Sequence, residues 1–237
     1  SNLYRINTAG EYEKLVGGES VTFEYSPAPG SLVAFGQADP TNPGEVYIWR
    51  QGQTRRLTDL NPWLRDHRLA TPETYEYAGY GQAWTHASQG DQGGQDYAEI
   101  MLGVDDLVAR PFIDASRLGV TGGSCGGFMT NWIVGHTDRF AAAVTQRSIT
   151  NQISFFGTSD IGPECTEGET GANPWKDLQA VWRQSPIAYA PSVTTPLLII
   201  HSDEDYRCAL EQAEQMFAAL RWMGKEVELV IFEGESH

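Results

Sequence analysis

Read from its amino end, the chain first shows short runs in which apolar residues alternate with polar ones or cluster: "NLYRI", "SVTFEYS", "SLVAFGQA", "EVYIW" and "TRRLT". Turn-forming residues separate them at Gly10, Gly17-Gly18, Pro29-Gly30, Pro43-Gly44 and Gly52. Strands at this spacing with no helical period between them predict antiparallel β structure over residues 1–60. The spacing suits propeller blades, whose four strands take about 40–45 residues. A small meander docked on the rest of the chain fits the same pattern. The next stretch, "TDLNPWLRDHRLATPETYEYAGYG", has two prolines and no period, and reads as a linker over 61–79.

From residue 80 the period changes. "DYAEIMLGVDDLVAR" sets Tyr97, Ile100, Met101, Val104, Leu107 and Val108 on one helical face. "RLGVTG" reads as a short buried strand, "SCGGFMTNWIVGH" as a helix, and "FAAAVTQ" as a strand. "TPLLIIHS" is a continuous apolar run of the kind a buried parallel strand needs. "ALEQAEQMFAALRWMG" is an amphipathic helix ending at Gly224, and "EVELVIFEG" is a last strand. Strands alternating with helices predict an α/β fold, a parallel sheet with helices on both faces, over residues 80–237. "ECTEGETGANPW" reads as a solvent-exposed acidic loop without metal-ligand spacing. "WKDLQAVWRQSPIAY" reads as a lid-like helix whose Trp175, Trp182 and Tyr189 either enter the core or line an apolar specificity pocket.

Composition narrows the function classes. Across 237 residues the formal net charge is −15, which argues against a nucleic-acid partner. No run of about 18 apolar residues is present, so no membrane span is expected, and "SNLYRINTAGEYEKL" lacks the basic and apolar regions of a signal peptide. Cys125, Cys165 and Cys208 match no zinc spacing. Three free thiols in a reducing, cytoplasmic setting are the expectation.

The chemistry is concentrated at "GVTGGSCGGFMTNW", residues 119–132. Gly122-Gly123-Ser124-Cys125-Gly126 fits G-x-S-x-G between a strand and a helix, the setting of a nucleophile elbow. A serine jutting from so tight a turn needs small neighbours, and the helix end below it offers free amides to an oxyanion. A hydroxyl attacks only with a base beside it, and in this topology an acid and then a histidine follow on later strand ends. Asp203, Glu204 and Asp205 end one buried strand, and His237 follows the last strand. His136 and His201 read as structural or supporting, and His67 and His86 as surface or linker residues. Arg147 follows a strand of the same sheet, where it either binds a substrate carbonyl or carboxylate or forms a structural ion pair. Arg207 reads as a loop anchor, and Cys125 as a poor alternative nucleophile because its side chain points off the line of attack.

"DASRLGVTGGSCGGFMTNWIVGHTDRFAAAVTQRSITNQISFFGTSDIG", "HSDEDYRC" and "EGESH" together resemble the prolyl oligopeptidase family of serine peptidases, in its acylaminoacyl-peptidase-like branch. The resemblance implies an α/β-hydrolase catalytic domain preceded by a β-propeller-like piece. It implies Ser124 as nucleophile, His237 as general base and Asp205 as the acid that orients it. Asp205 is taken over Asp203 because it matches the acid position of the family's D-x-R segment. The backbone N–H of Cys125 would be one oxyanion donor. Short peptides are the implied partners, no cofactor or metal is implied, and copies of the chain would assemble as family members do. The sequence also departs from the family. The H-G-G-P loop that carries the second oxyanion donor has no counterpart between "PETYEY" and "AGYGQAW". A cysteine stands at 125 in place of an aromatic residue, and Gln92 stands where a tryptophan is expected. On this reading the sequence is a fragment, or the joined ordered parts, of a longer protein. Esterase chemistry on the same machinery and a non-catalytic partner-binding remnant are the two other readings.

Overall fold

The computed structural model describes residues 2–18, 20–39, 41–66 and 88–237. The chain divides into two compact units, Ser1–Glu76 and Tyr77–His237.

The first unit is antiparallel, as the alternation predicts. Strands β1 (Leu3–Ile6) and β2 (Tyr12–Val16) pair with each other. Strands β3 (Val21–Ala28), β4 (Leu32–Asp39), β5 (Asn42–Arg50) and β6 (Gln53–Arg56) form a four-stranded meander in chain order. Strand β2 adds to the expected set. Its sequence, "YEKLV", is apolar inward only at its end, and pairing with β1 makes it a strand. Leu3, Val16, Phe35 and Trp49 form the core here. Buried Glu45 on β5 is kept satisfied by the Leu60 amide, the Thr58 hydroxyl and the Arg56 guanidinium. Of the expected linker, Pro62–Asp66 forms a short 3-10 turn; residues 67–87, which hold the rest of the linker, His67 and His86, lie outside the described residues.

Among its described residues the second unit holds four parallel strands, β7 (Gly119–Gly123), β8 (Ala142–Gln146), β9 (Leu197–Ser202) and β10 (Val227–Phe232), in the spatial order 10-9-8-7. The helices are α1 (Gln95–Val108), α2 (Cys125–His136), α3 (Gln152–Thr158), α4 (Gly162–Thr170), α5 (Leu178–Arg183) and α6 (Glu211–Trp222). Two of their ends show a local cause. Helix α6 ends in a Schellman motif: Gly224 takes φ +68°, its N–H reaches Arg221 O, and the Lys225 N–H reaches Leu220 O. Helix α3 starts on Asn151, whose side chain caps the Ile153 amide.

Two apolar clusters hold the unit together. Ala213, Met216 and Leu220 of α6 pack on Ala143, Leu197, Ile199 and Val227 of the sheet. Phe128, Met129, Trp132 and Ile133 of α2 pack with Phe140, Ile149, Phe155 and Cys208, and Tyr97, Ile100, Met101 and Val104 of α1 lie against them. Helix α2 is buried without a break from Gly127 to Gly135, which explains its nearly uniform apolar sequence.

Three expectations change. Helices were expected on both sheet faces, but among the described residues they cover one. Every crossover steps the same way, β7 to β8 to β9 to β10, and right-handed connections then put all of them on one side. Leu197, Ile199 and His201 on that side are buried, while Leu198, Ile200 and Ser202 on the other are only half-buried. The acidic stretch expected to be a loop is instead largely helix α4: Pro163 sits in its first turn, where no N–H is needed, and Gly171 closes it at φ +70°. The lid-like helix shrinks to the six residues of α5, with the 3-10 segment Pro186–Ser192 after it. Core packing fails for two of its aromatics: Trp175 is 81% exposed, edge-on to Phe156, and Trp182 is 38% exposed, while half-buried Tyr189 packs on Trp132.

Met216 lies at the centre of the α6–sheet cluster with 1% exposure. Met216→Ala is expected to lower stability by about 2–5 kcal/mol through lost contacts and the cavity left behind, read as a shifted denaturant midpoint at unchanged slope.

Candidate active site

The strand β7 to helix α2 turn is governed by backbone crowding. A Cβ on Gly122 would come within 2.3 Å of the Gly126 carbonyl oxygen, and one on Gly127 within 2.6 Å of Ser148 Cβ and 2.7 Å of Gln146 O. Gly126 would itself meet open space, so its part is to let its backbone be approached. This closeness forces Ser124 to φ +58°, ψ −122°, a conformation non-glycine residues avoid. Two backbone bonds hold it there, from the Ser124 N–H to Gln146 O (3.0 Å) and from the Phe128 N–H to Ser124 O (2.9 Å). The side chain is left jutting over the carboxyl end of the sheet.

Residues 81 and 32 positions apart in sequence meet at that rim. His237 Nε2 lies 3.0 Å from Ser124 Oγ, and His237 Nδ1 lies 2.8 Å from Asp205 Oδ2. Asp205 is 3% exposed. Its Oδ1 accepts from the amides of Arg207 (2.9 Å) and Cys208 (2.8 Å), so the carboxylate cannot swing away from the imidazole. Of the three acids considered, only Asp205 faces His237. Asp203 Oδ1 accepts from the Gly234 N–H (2.7 Å), and the Glu204 N–H reaches Glu235 O (3.1 Å); both brace the segment that brings His237 in.

His201 is buried beneath this pair. Its Nε2 donates to Cys208 O (2.6 Å) and stands 3.5 Å from Asp205 Oδ2, and burial pushes its pKa down so that it stays neutral. His136 stacks on Trp132 with 4.3 Å between ring centroids and serves packing. Arg207 anchors its loop through two bonds to Asp160 (2.7 and 3.1 Å).

Arg147 is exposed and takes φ +37° at the end of β8. Its guanidinium lies over Gly123, 3.2 Å from where a Cβ would stand, and no described carboxylate pairs with it. The amide of Cys125 is the first of α2 and has no intrahelical acceptor. Cys125, Cys165 and Cys208 are all free, and burial raises each thiol's pKa, Cys165 to about 11 and Cys208 to about 12. Protonated thiols are weak nucleophiles, so Cys125 does not compete with its neighbour. Gln92, in place of the expected tryptophan, joins a buried amide chain: its oxygen accepts from Gln152 Nε2 (2.7 Å) and its N–H donates to Gln184 Oε1 (2.9 Å). What sequence reading missed is helix α4, and Pro163 and Gly171 were the signals that could have revealed it.

Among the described residues no three metal-ligating side chains come together, and no helix is long and apolar enough to cross a membrane.

A serine on a strained strand-to-helix turn, at the carboxyl end of a parallel sheet, with acid and histidine on the next strand ends, defines an α/β-hydrolase fold. Comparison with known proteins narrows this. A family model described as prolyl oligopeptidase family matches residues 73–237, and the chain belongs to that family. It is 56% identical over 160 residues to an uncharacterized peptidase, YuxL, of Bacillus subtilis, covering 67% of this chain and 24% of that protein. Identity to an acylamino-acid-releasing enzyme of Arabidopsis thaliana is 32% over 167 residues, covering 67% and 22%. An uncomplexed acylaminoacyl peptidase of Pyrococcus horikoshii superposes with a TM-score of 0.72 at 25% identity, covering all of this chain and 48% of that one. The chain spans about a quarter of the length of the curated relatives it matches.

Gly122→Ala is expected to reopen the turn, because the added methyl meets backbone rather than a side chain that could move. The expected loss is about 1–3 kcal/mol, with a thermal midpoint lower by several degrees.

Proposed function

We propose that residues 80–237 form the catalytic domain of a serine peptidase that cleaves short peptides through an acyl-enzyme. Ser124 Oγ attacks the scissile carbonyl while His237 Nε2 takes its proton. The oxyanion so formed is met by the Cys125 N–H at the positive end of α2. Collapse expels the amine, which leaves with the proton from Nε2. Water then repeats the sequence on the ester, releasing the acid and restoring the serine. Asp205 holds Nδ1–H, so that Nε2 is the free base. The observation that carries this reading is the bridging imidazole, 3.0 Å from the hydroxyl and 2.8 Å from a buried carboxylate.

Arg147 is proposed to receive a carbonyl or carboxylate of the bound peptide. A guanidinium over Gly123 with no carboxylate partner among the described residues, in a chain with 31 acidic residues, supports it. The β-rich residues 1–60 are proposed as part of a propeller that limits substrate size, supported by the four-stranded meander, with 61–79 as the link. Three free thiols support a cytoplasmic setting.

The test is turnover of a blocked peptide p-nitroanilide beside the matching p-nitrophenyl ester. Wild-type protein is expected to cleave both. Asp205→Asn should lose about 10,000-fold in kcat, with Ser124→Ala losing at least as much. Ester cleavage with no anilide cleavage would favour an esterase, and full activity in Ser124→Ala would end the proposal.

A further inference from the structure

A buried imidazole on β9 has no part in the steps written above. His201 is 1% exposed and lies on the strand face of Leu197 and Ile199, where an aliphatic side chain would fit the pattern. Its two ring nitrogens are unequally matched. Nε2 is 2.6 Å from Cys208 O, and a carbonyl oxygen only accepts, so Nε2 carries the proton. Nδ1 is then a bare acceptor, buried and without a hydrogen-bond partner among the described residues. An acceptor left unmatched in the interior is destabilising, so stability alone does not account for a histidine at this position.

The bond from Nε2 reaches the turn that carries Asp205. Cys208 is gripped at both ends: its O accepts from His201, and its N–H donates to Asp205 Oδ1 (2.8 Å). The Arg207 N–H meets the same carboxylate oxygen (2.9 Å). The other oxygen, Oδ2, faces His237 Nδ1 at 2.8 Å and lies 3.5 Å from His201 Nε2. Asp205 therefore stands between two imidazoles, one beside the serine and one fixed in the sheet. The turn has a second tie in the Arg207–Asp160 pair, but both side chains there are exposed, and water weakens such a pair. His201 is the buried anchor.

We propose that His201 is a positioning residue for Asp205: its Nε2–H fixes Cys208, and Cys208 sets how the carboxylate meets His237. The inference rests on the peptidase reading above. Because His201 acts on the orientation of the base and not on the bound peptide, its loss falls on kcat and spares KM.

The experiment compares wild-type protein with two variants. His201→Gln places an amide nitrogen near the Nε2 position and still donates to Cys208 O; His201→Leu fills the space and donates nothing. Three quantities are read: kcat and KM for a blocked peptide p-nitroanilide, the downfield proton resonance of His237 Nδ1–H, and the 15N shifts of labelled histidine, which report the tautomer. His201→Leu is expected to lower kcat by about 100-fold at nearly unchanged KM, the cost of misplacing a reacting group by about 1 Å, and to shift or broaden the downfield resonance. His201→Gln is expected to recover most of both. A His201→Leu protein with wild-type kcat and resonance, or a His201→Gln protein no better than His201→Leu, would overturn the inference. So would a wild-type 15N spectrum with the His201 proton on Nδ1, a measurement that does not depend on either variant folding. A wild type that cleaves no anilide, while the resonance survives in His201→Gln and is lost in His201→Leu, would leave the positioning role standing and remove the peptidase reading instead.

Discussion

Everything at the rim of the sheet depends on how closely two glycine backbones pass. Gly122 and Gly126 approach so nearly that no side chain fits on the first, and that closeness turns Ser124 to a positive φ. A relaxed turn would lay the hydroxyl back along the strand, out of reach of His237. The strain is offset by what surrounds it: α2 is buried from Gly127 to Gly135, and the Ser124 amide is tied to β8. The core keeps the serine at the rim, within hydrogen-bond reach of His237.

The second constraint is electrostatic. Asp205 is buried, yet two amides and an imidazole meet its oxygens, so the carboxyl is held in one orientation. His201 beneath it is kept neutral by burial and adds no competing cation. Glu169 differs: it is half-buried with no counter-charge among the described residues, and burial pushes its carboxyl up. On the proposed reading the buried Asp205 orients the base.

Much of this was legible in the residues. The parallel strands and the helices between them follow from apolar runs and helical periodicity, because these elements bury a defined face. The elbow was legible because its glycines are required by contact, and His237 because it alone of the histidines follows the last strand. Choosing Asp205 over Asp203 needed the family resemblance, since both lie on one strand end and only the turn geometry separates them. Other features were not legible. Helix α4 is rich in glutamate, threonine and glycine, a composition that reads as loop until the proline and glycine at its ends are weighed. Placing helices on a sheet face depends on strand order, which periodicity does not carry.

The most direct measurement is the intact mass of the protein after exposure to diisopropyl fluorophosphate, followed by peptide mapping. One diisopropylphosphoryl group on Ser124, absent when His237 is replaced by alanine, is the predicted result, because only a hydroxyl with a base at hydrogen-bond distance reacts. A folded protein that stays unlabelled, or that carries the label on another residue, would contradict the account.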